Sequence, residues 1–200
     1  MTPILKLTPE EIESNFNKYR GFFEKLGDRS TVGVAMVDAL GERLALCPAS
    51  GRKDYHNSFP GGLVEHSLRV LGNAIKLSRA FEWKIPKDSL IIGALLHDIG
   101  KVGDENEDYY VDADQWRKDK QGELYDYSRT IPYMSVPDRS VYLCQYHNLI
   151  LSRDEFLAIK LNDGWVVTDN KPYCLKEPML AHVVMTADYI STMQEKNMLP

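Results

Sequence analysis

One stretch, residues 90–101 with the sequence LIIGALLHDIGK, constrains the fold more than any other part of this 200-residue chain. Its first seven residues are apolar on nearly every side of a helix, which predicts a helix packed centrally in the protein. The pair His97-Asp98 follows immediately. Because a buried carboxylate is costly unless it is paired or bound to a metal, two ionisable side chains at this helix end point to chemistry.

Two further polar residues interrupt apolar helical patterns, His66 in GGLVEHSLRVL and Asp188 in HVVMTADYIST. Taken singly, each has an ordinary structural interpretation. A lone histidine on an apolar helix is more often a hydrogen-bonded core residue, and Asp188 alone would suit a helix cap or an ion pair. Four such interruptions in three helices instead predict a single point of convergence.

Two imidazoles and two carboxylates make a mixed nitrogen and oxygen ligand set. Such a set favours Mn²⁺, Fe²⁺, Co²⁺ or Ni²⁺, with Mg²⁺ possible, over a thiolate zinc site. A metal of this kind activates water and polarises a phosphoryl oxygen, so hydrolysis of a phosphate ester is the expected reaction. The three cysteines have no CxxC spacing, and their odd number fits reduced thiols.

Helical patterns dominate the chain and predict an all-α bundle with one long irregular region and at most a short β-hairpin. Thr8, Pro9 and Glu11 predict a capped first helix, and Asp28 is the expected N-cap of a second. Residues 102–134 predict a long loop or short hairpin, and Trp165–Val167 a short strand pair. Further helices are predicted over Leu63–Phe81, from Pro86, over Ser135–Tyr146, Asp154–Lys160 and Glu177–Met193. We expect one domain, residues 1–200, in which N-terminal helices over 1–46 pack on a core over 47–195.

The net charge of −5 argues against a broad electrostatic interface with nucleic acid. The first residues, MTPILKLTPEE, do not resemble a signal peptide, and no apolar run approaches the roughly 20 residues that span a bilayer. These features predict a cytoplasmic protein without a membrane partner. A small-molecule nucleotide or phosphate ester is the expected substrate, nucleic acid is possible but not favoured, and the oligomeric state is left open.

The ordered set His66…His97-Asp98…Asp188, in the contexts LLHDIGK and TADYIS, resembles the HD-domain metal-dependent phosphohydrolases. The stretch PASGRKDYHNSFPGGLVEHSLRVL is similar to the branch that contains 3′–5′ exoribonucleases and certain relaxase-associated HD domains. The resemblance covers roughly residues 47–190. It implies a helical HD bundle in which these four residues bind a divalent metal, with Asp98 also counted among the catalytic residues.

The resemblance also implies roles for residues around the four ligands. Lys101 matches a basic residue placed near the substrate phosphate, although it would equally suit a cation at a helix C-terminus. His56 matches a histidine that could bind phosphate, protonate a leaving oxygen or simply hydrogen-bond its loop. Arg52 and Lys53 are candidate phosphate contacts, with a solvated loop as the alternative.

His147 bears on the number of metal ions. Two-metal HD proteins usually add a pair of histidines between the HD doublet and the last aspartate, and this interval holds His147 and His182. His182 lies six residues before Asp188, which places the two on different faces of one helix. One ion is therefore favoured over two, and His147 is expected to support the metal site or to contact substrate phosphate, as a catalytic or substrate-binding residue.

Three functions compete. The first is a nucleotidase, or a 3′–5′ exonuclease or phosphodiesterase on short nucleic acid or cyclic nucleotides. The second is a non-catalytic nucleotide-sensing HD module, and the presence of all four presumptive ligands argues against it. The third is an accessory protein whose partner supplies the nucleic-acid contacts. Tyrosines in the long loop could stack on a base or merely pack within that loop.

Overall fold

The computed structural model describes residues 7–197. Within that range the chain forms eight α-helices and one two-stranded antiparallel sheet, which confirms the predicted all-α fold with a short hairpin. The helices are α1 (Pro9–Phe23), α2 (Ser30–Leu46), α3 (Gly62–Ala80), α4 (Lys87–Leu96), α5 (Gln115–Gln121), α6 (Val136–Tyr146), α7 (Arg153–Lys160) and α8 (Met179–Glu195), and the strands are β1 (Tyr110–Asp112) and β2 (Tyr125–Tyr127).

The first two helices begin differently from one another. At α1 the predicted capping box is present, because the Thr8 side chain accepts from the Glu11 backbone while the Glu11 carboxylate accepts from the Thr8 backbone. The predicted Asp28 cap of α2 is wrong. Asp28 lies inside a 3-10 turn over Gly27–Arg29, which continues into α2 with Arg29 at the N-cap position and no side-chain cap. An N-cap needs an extended backbone, and this turn does not provide one.

The apolar run at 90–96 lies at the centre of the fold, as its sequence predicts. Every residue of the run is buried in α4, which packs against α3, α7 and α8. At Gly93 an added Cβ would lie 3.0 Å from the Val184 side chain, so the missing side chain permits close contact between α4 and α8. The Tyr19 hydroxyl of α1 donates to the Leu95 carbonyl at 2.8 Å. The helix that ends at the His-Asp pair is thus held on several sides.

The hairpin lies in the long irregular region. β1 pairs with β2 in the register Tyr110↔Tyr127 and Asp112↔Tyr125, and α5 occupies the connection between them. The strand pair expected near Trp165–Val167 is wrong, because that stretch forms 3-10 turns over Gly164–Val166 and Thr168–Tyr173. Gly164 has φ +68° and its carbonyl accepts from Asn170. This turn redirects the chain before an extended strand can form.

The N-terminal helices share the core with the rest of the chain. Tyr19 and Phe23 of α1 and Met36 of α2 belong to the same buried apolar cluster as Leu71 and Val184. The division at residue 46 stays a prediction, and residues 1–6, part of the stretch considered for a signal peptide, lie outside the described residues. Over residues 7–197, none of the helices combines the length and hydrophobicity needed to cross a membrane.

Glu155 of α7 gives a pH-dependent contribution to stability. Its carboxylate is 1% exposed and accepts from Arg29 at 2.7 Å and from the Ser89 hydroxyl at 2.8 Å. Burial opposes the ionised form, but Arg29 and the Ser152 backbone outweigh it and lower the pKa of Glu155. Because the pKa of Glu155 is lower in the folded state, its ionisation stabilises the folded protein at pH values above the unfolded-state pKa of about 4.3. This stabilisation is lost as the pH falls through the folded-state pKa.

We therefore expect Glu155→Gln to lower the free energy of unfolding by about 2 kcal/mol at pH 7, through loss of a charged hydrogen-bond acceptor. Urea denaturation at a series of pH values should show this difference shrinking as the medium is acidified. Asp154→Asn, at an exposed neighbouring pair with Arg153, is the control and should change stability by less than about 0.5 kcal/mol. A Glu155→Gln difference that did not depend on pH would contradict this account.

Candidate metal centre

Three helices bring the four predicted ligands to one place. His66 lies in the second turn of α3, Asp188 lies in α8, and His97 and Asp98 directly follow α4. The turn before α3 brings the backbone of Gly62 close to that of Asn57. Gly61 has φ +85°, and an added Cβ at Gly62 would lie only 2.0 Å from the Asn57 carbonyl oxygen. The Gly-Gly pair therefore sets the start of α3, and with it the position of His66.

The four side chains converge within a few ångströms. His66 Nε2 lies 3.0 Å from Asp188 Oδ1, and His97 Nε2 lies 3.4 Å from Asp98 Oδ2. The diagonal distances are 3.9 Å from His97 Nε2 to Asp188 Oδ1 and 4.0 Å from His66 Nε2 to Asp98 Oδ2. The ligand atoms of His66, His97 and Asp188 all lie within 4.8 Å of one another. Both histidines are fully buried.

The donor set fits a divalent cation. The Nε2 atoms of His66 and His97 are buried and have no hydrogen-bond partner, although carboxylate oxygens lie close to both. His97 Nδ1 lies 2.8 Å from the Ala94 carbonyl oxygen, which assigns the ring proton to Nδ1 and leaves the Nε2 lone pair directed at the cluster. Buried imidazole nitrogens beside carboxylates, without hydrogen bonds between them, are an arrangement that a bound metal ion satisfies.

Groups of opposite charge lie close together in the cluster. Burial opposes a charged His66 ring, but the carboxylates of Glu195 and Asp188 outweigh it and raise the pKa of His66 to about 10. A divalent cation at Nε2 would replace that proton, because only the neutral imidazole is a metal ligand. Burial also opposes ionisation of Asp98, yet the Lys101 ammonium and the His97 ring hold the pKa of that carboxyl well below its usual range. Asp98 is therefore ionised at neutral pH and available as a ligand.

Glu195 is a site residue that the sequence analysis missed. Its carboxylate is 1% exposed, and Oε2 lies 2.9 Å from His66 Nδ1, on the opposite edge of the ring from Asp188. Arg69 Nε donates to the other oxygen of Glu195 at 3.1 Å. Carboxylates in this position fix the tautomer and orientation of a metal-binding histidine. The signal was present: Glu195 lies seven residues after Asp188, on the same face of α8.

Lys101 lies beside the cluster. Its Nζ donates to Asp98 Oδ2 at 2.6 Å and to the Ala49 carbonyl at 2.7 Å. Burial works against the ammonium, but Asp98 more than compensates and raises the pKa of Lys101. An ammonium has three donors, so one proton remains for another acceptor.

His56 packs directly on His66, with ring centroids 4.6 Å apart. Its Nε2 is buried without a hydrogen-bond partner. Burial, together with the positive charge of His66 and of Lys101, lowers the pKa of His56 to about 3. The ring is then neutral at pH 7, which suits a hydrogen-bonding role better than that of a cation binding phosphate or of a proton donor.

The remaining predicted residues have other surroundings. His147 directly follows α6 and packs edge-on against Tyr146. Burial lowers the pKa of His147, although the Glu105 carboxylate acts in the opposite direction. Arg52 pairs with Asp54 at 3.0 Å, and Lys53 packs against Gly122. None of these contacts involves the four central side chains. His182 faces Glu177, 3.5 Å away, and not the cluster.

Comparison with known proteins agrees with this geometry. The family model described as "HD domain" matches residues 63–193, and the chain therefore belongs to the HD domain family. A dihydroneopterin 2′,3′-cyclic phosphate phosphodiesterase from Methanocaldococcus jannaschii is 38% identical over 52 residues. That match covers 24% of this chain and 21% of the archaeal protein, so the chain spans about a fifth of the curated relative. No solved structure is significantly similar to the chain.

Proposed function

We propose that this protein is a metal-dependent phosphohydrolase that acts on a nucleotide or a related phosphate ester. The observation that carries the proposal is the pair of buried, unpartnered Nε2 atoms of His66 and His97 beside the carboxylates of Asp98 and Asp188. We propose these four as ligands of one divalent cation, with Mn²⁺, Fe²⁺, Co²⁺ and Ni²⁺ ahead of Mg²⁺. When bound, such a cation supplies an activated water and polarises the phosphoryl group.

The chain's own side chains then position the substrate. The free proton of the Lys101 ammonium can donate to a phosphate oxygen while the other two hold Asp98 and the Ala49 carbonyl. The neutral His56 ring, which covers His66, can exchange a hydrogen bond with a substrate hydroxyl. Burial of both histidine ligands excludes bulk water from that side and strengthens each electrostatic contact. His147, Arg52 and Lys53 stay candidate substrate contacts from the sequence analysis.

A phosphodiester substrate is the second candidate. The archaeal relative is named for hydrolysis of a 2′,3′-cyclic phosphate, and the stretch before His66 is similar to the exoribonuclease branch. Both support a diesterase that acts on a cyclic phosphate or short nucleic acid. The net charge of −5 favours a small ester over a long polyanion. We propose that the protein is located in the cytoplasm.

The test is a substrate panel with and without Mn²⁺. It comprises nucleoside monophosphates and triphosphates, 2′,3′-cyclic nucleotides, cyclic dinucleotides and short single-stranded RNA and DNA, with phosphate release and gel mobility as readouts. We expect Mn²⁺-stimulated hydrolysis of at least one small ester and its loss in EDTA. Protein that binds Mn²⁺ but hydrolyses nothing in the panel would be a sensing module, and the proposal would be wrong.

A further inference from the structure

A cavity of about 390 Å³ adjoins the proposed catalytic centre. It lies between the end of α2, the 3-10 turn over Ile99–Val102 and one face of the β1–β2 hairpin. Lys101 belongs to both places, since its Nζ contacts Asp98 and the residue also lines the cavity. The volume is within the range of about 300–1,000 Å³ that is usual for small-molecule pockets.

The hairpin presents aromatic surface to this cavity. Tyr110 and Tyr125 line it, with ring centroids 5.9 Å apart and planes tilted by 53°. Because side chains alternate along a strand, Tyr110 and Asp112 share a face of β1, and Tyr125 is the partner of Asp112 across the ladder. Pro48 and Leu46 form part of the remaining wall. A flat ring can therefore stack on one tyrosine and meet the other at its edge.

The polar atoms of the wall are mainly acceptors. Three acidic residues, Glu42, Asp108 and Asp112, line the cavity, and the Lys118 ammonium lies 3.5 Å from Asp112. Arg43 donates to Asp108 at 2.7 Å and to backbone carbonyls, and the Lys101 ammonium donates to Asp98 and to the Ala49 carbonyl, which leaves it one free proton. Among the described residues, Glu42 forms no hydrogen bond or ion pair. Of the three carboxylates, Glu42 is thus the one without a cationic partner among the described residues. A ligand that supplies donors suits this wall, whereas an additional phosphate would meet the uncompensated charge of Glu42.

We infer that the cavity holds the non-phosphate part of the substrate, a planar heterocycle with adjacent N–H donors on one edge, and that it selects esters with a single phosphate. The inference rests on the proposed function for the placement of that phosphate beside Lys101. Guanine is a suitable probe, since its N1–H and 2-amino groups can both donate to one carboxylate. Adenine, with an acceptor beside its amino group, fits such a wall less well.

Binding of a nucleoside without phosphate tests the cavity directly, in metal-free protein and without any turnover. In protein NMR titrations we expect guanosine to shift signals of Tyr110 and Tyr125 and to bind at least five-fold more tightly than adenosine. Leu46→Trp, a change at a 43% exposed position, should fill the cavity and weaken guanosine binding at least ten-fold. Val166→Trp, at a 90% exposed position outside the cavity, is the matched control and should bind like the wild type.

A charge reversal tests selection by phosphate number. In the wild type, kcat/KM for GMP should exceed that for GTP at least ten-fold, and Glu42→Lys should reduce this ratio several-fold. Circular dichroism and Mn²⁺ binding show whether each variant retains its fold and metal centre. If Leu46→Trp proves unfolded, the guanosine comparison and Glu42→Lys still decide the matter.

The two proposals fail in different ways. Guanosine binding that Leu46→Trp weakens, in a protein without phosphohydrolase activity, would support the cavity and overturn the proposed function. Hydrolysis of nucleotides by a protein that shows no guanosine shifts and no preference for one phosphate would overturn the cavity assignment and leave the proposed function intact. Equal binding of guanosine and adenosine would overturn the donor-edge assignment.

Discussion

Replacement of Asp98 by alanine is expected to reduce kcat/KM for any ester that the protein hydrolyses by about a thousand-fold or more. The change removes one proposed metal ligand and the partner of Lys101 at 2.6 Å. A metal ion supplies several kcal/mol of transition-state stabilisation, and a loss of about 4 kcal/mol corresponds to a thousand-fold in rate. Phosphate release under saturating Mn²⁺, together with the metal content by mass spectrometry, measures both consequences.

The control for Asp98→Ala is Asp169→Ala, which removes an exposed carboxylate from the turn over Thr168–Tyr173. It should retain wild-type turnover and metal content. Near-normal turnover in Asp98→Ala would contradict the assignment of this residue. A variant that kept its metal and lost its activity would show that Asp98 acts on the substrate or on Lys101, and not as a required ligand.

Glu195→Gln is expected to weaken Mn²⁺ binding about 10- to 100-fold, the usual effect of removing a carboxylate that supports a histidine ligand. Glu195 does not belong to the proposed ligand set, and its expected effect passes through His66 Nδ1 at 2.9 Å. Glutamine keeps the shape and can still accept that hydrogen bond, but it no longer makes the ring a stronger donor to the metal. Isothermal titration with Mn²⁺ gives the affinity, and kcat at saturating Mn²⁺ should recover most of the wild-type value.

Glu65→Gln is a closely matched control for Glu195→Gln. Glu65 also accepts from Arg69, at 3.3 Å, and lies next to His66 in the chain, but its carboxylate does not contact that ring. Its substitution should leave Mn²⁺ affinity within about two-fold of the wild type. Equal losses of affinity in both variants would indicate that the net charge near α3 matters, and that Glu195 has no positioning role.

Helix α4 illustrates what could be predicted from sequence alone. Seven consecutive apolar residues have to be buried on all sides, so the central position of this helix follows from the hydrophobic effect without knowledge of its neighbours. The His-Asp pair after it is then necessarily placed near the core. The helix starts at Thr8 and Ser135 could similarly be predicted, because capping is decided by a few adjacent residues.

Trp165–Val167 illustrates where a local sequence pattern gave a wrong prediction of secondary structure. Apolar β-branched residues favour strands, but a strand needs a partner, and the turn closed by Gly164 and Asn170 leaves Val166 90% exposed. The pairing between β1 and β2 joins residues across an intervening helix. Local patterns carry no information about such distant partners, so the hairpin could be expected only somewhere within residues 102–134.

The sequence by itself determined the helical class, the burial of α4 and, through the order of His66, His97-Asp98 and Asp188, the resemblance to HD-domain proteins. These features depend on residue type and local spacing. Only the tertiary structure decided that the Nε2 atoms of His66 and His97 each lie 3.0–4.0 Å from oxygens of both Asp98 and Asp188. The same holds for the contact of Glu195 with His66 across 129 positions, and for the cavity of tyrosines and acidic residues that Lys101 borders. The site depends on how α3, α4 and α8 pack together, and the cavity on how α2 packs against the hairpin. Such packing is decided by the fit between distant surfaces, which no single segment of sequence specifies.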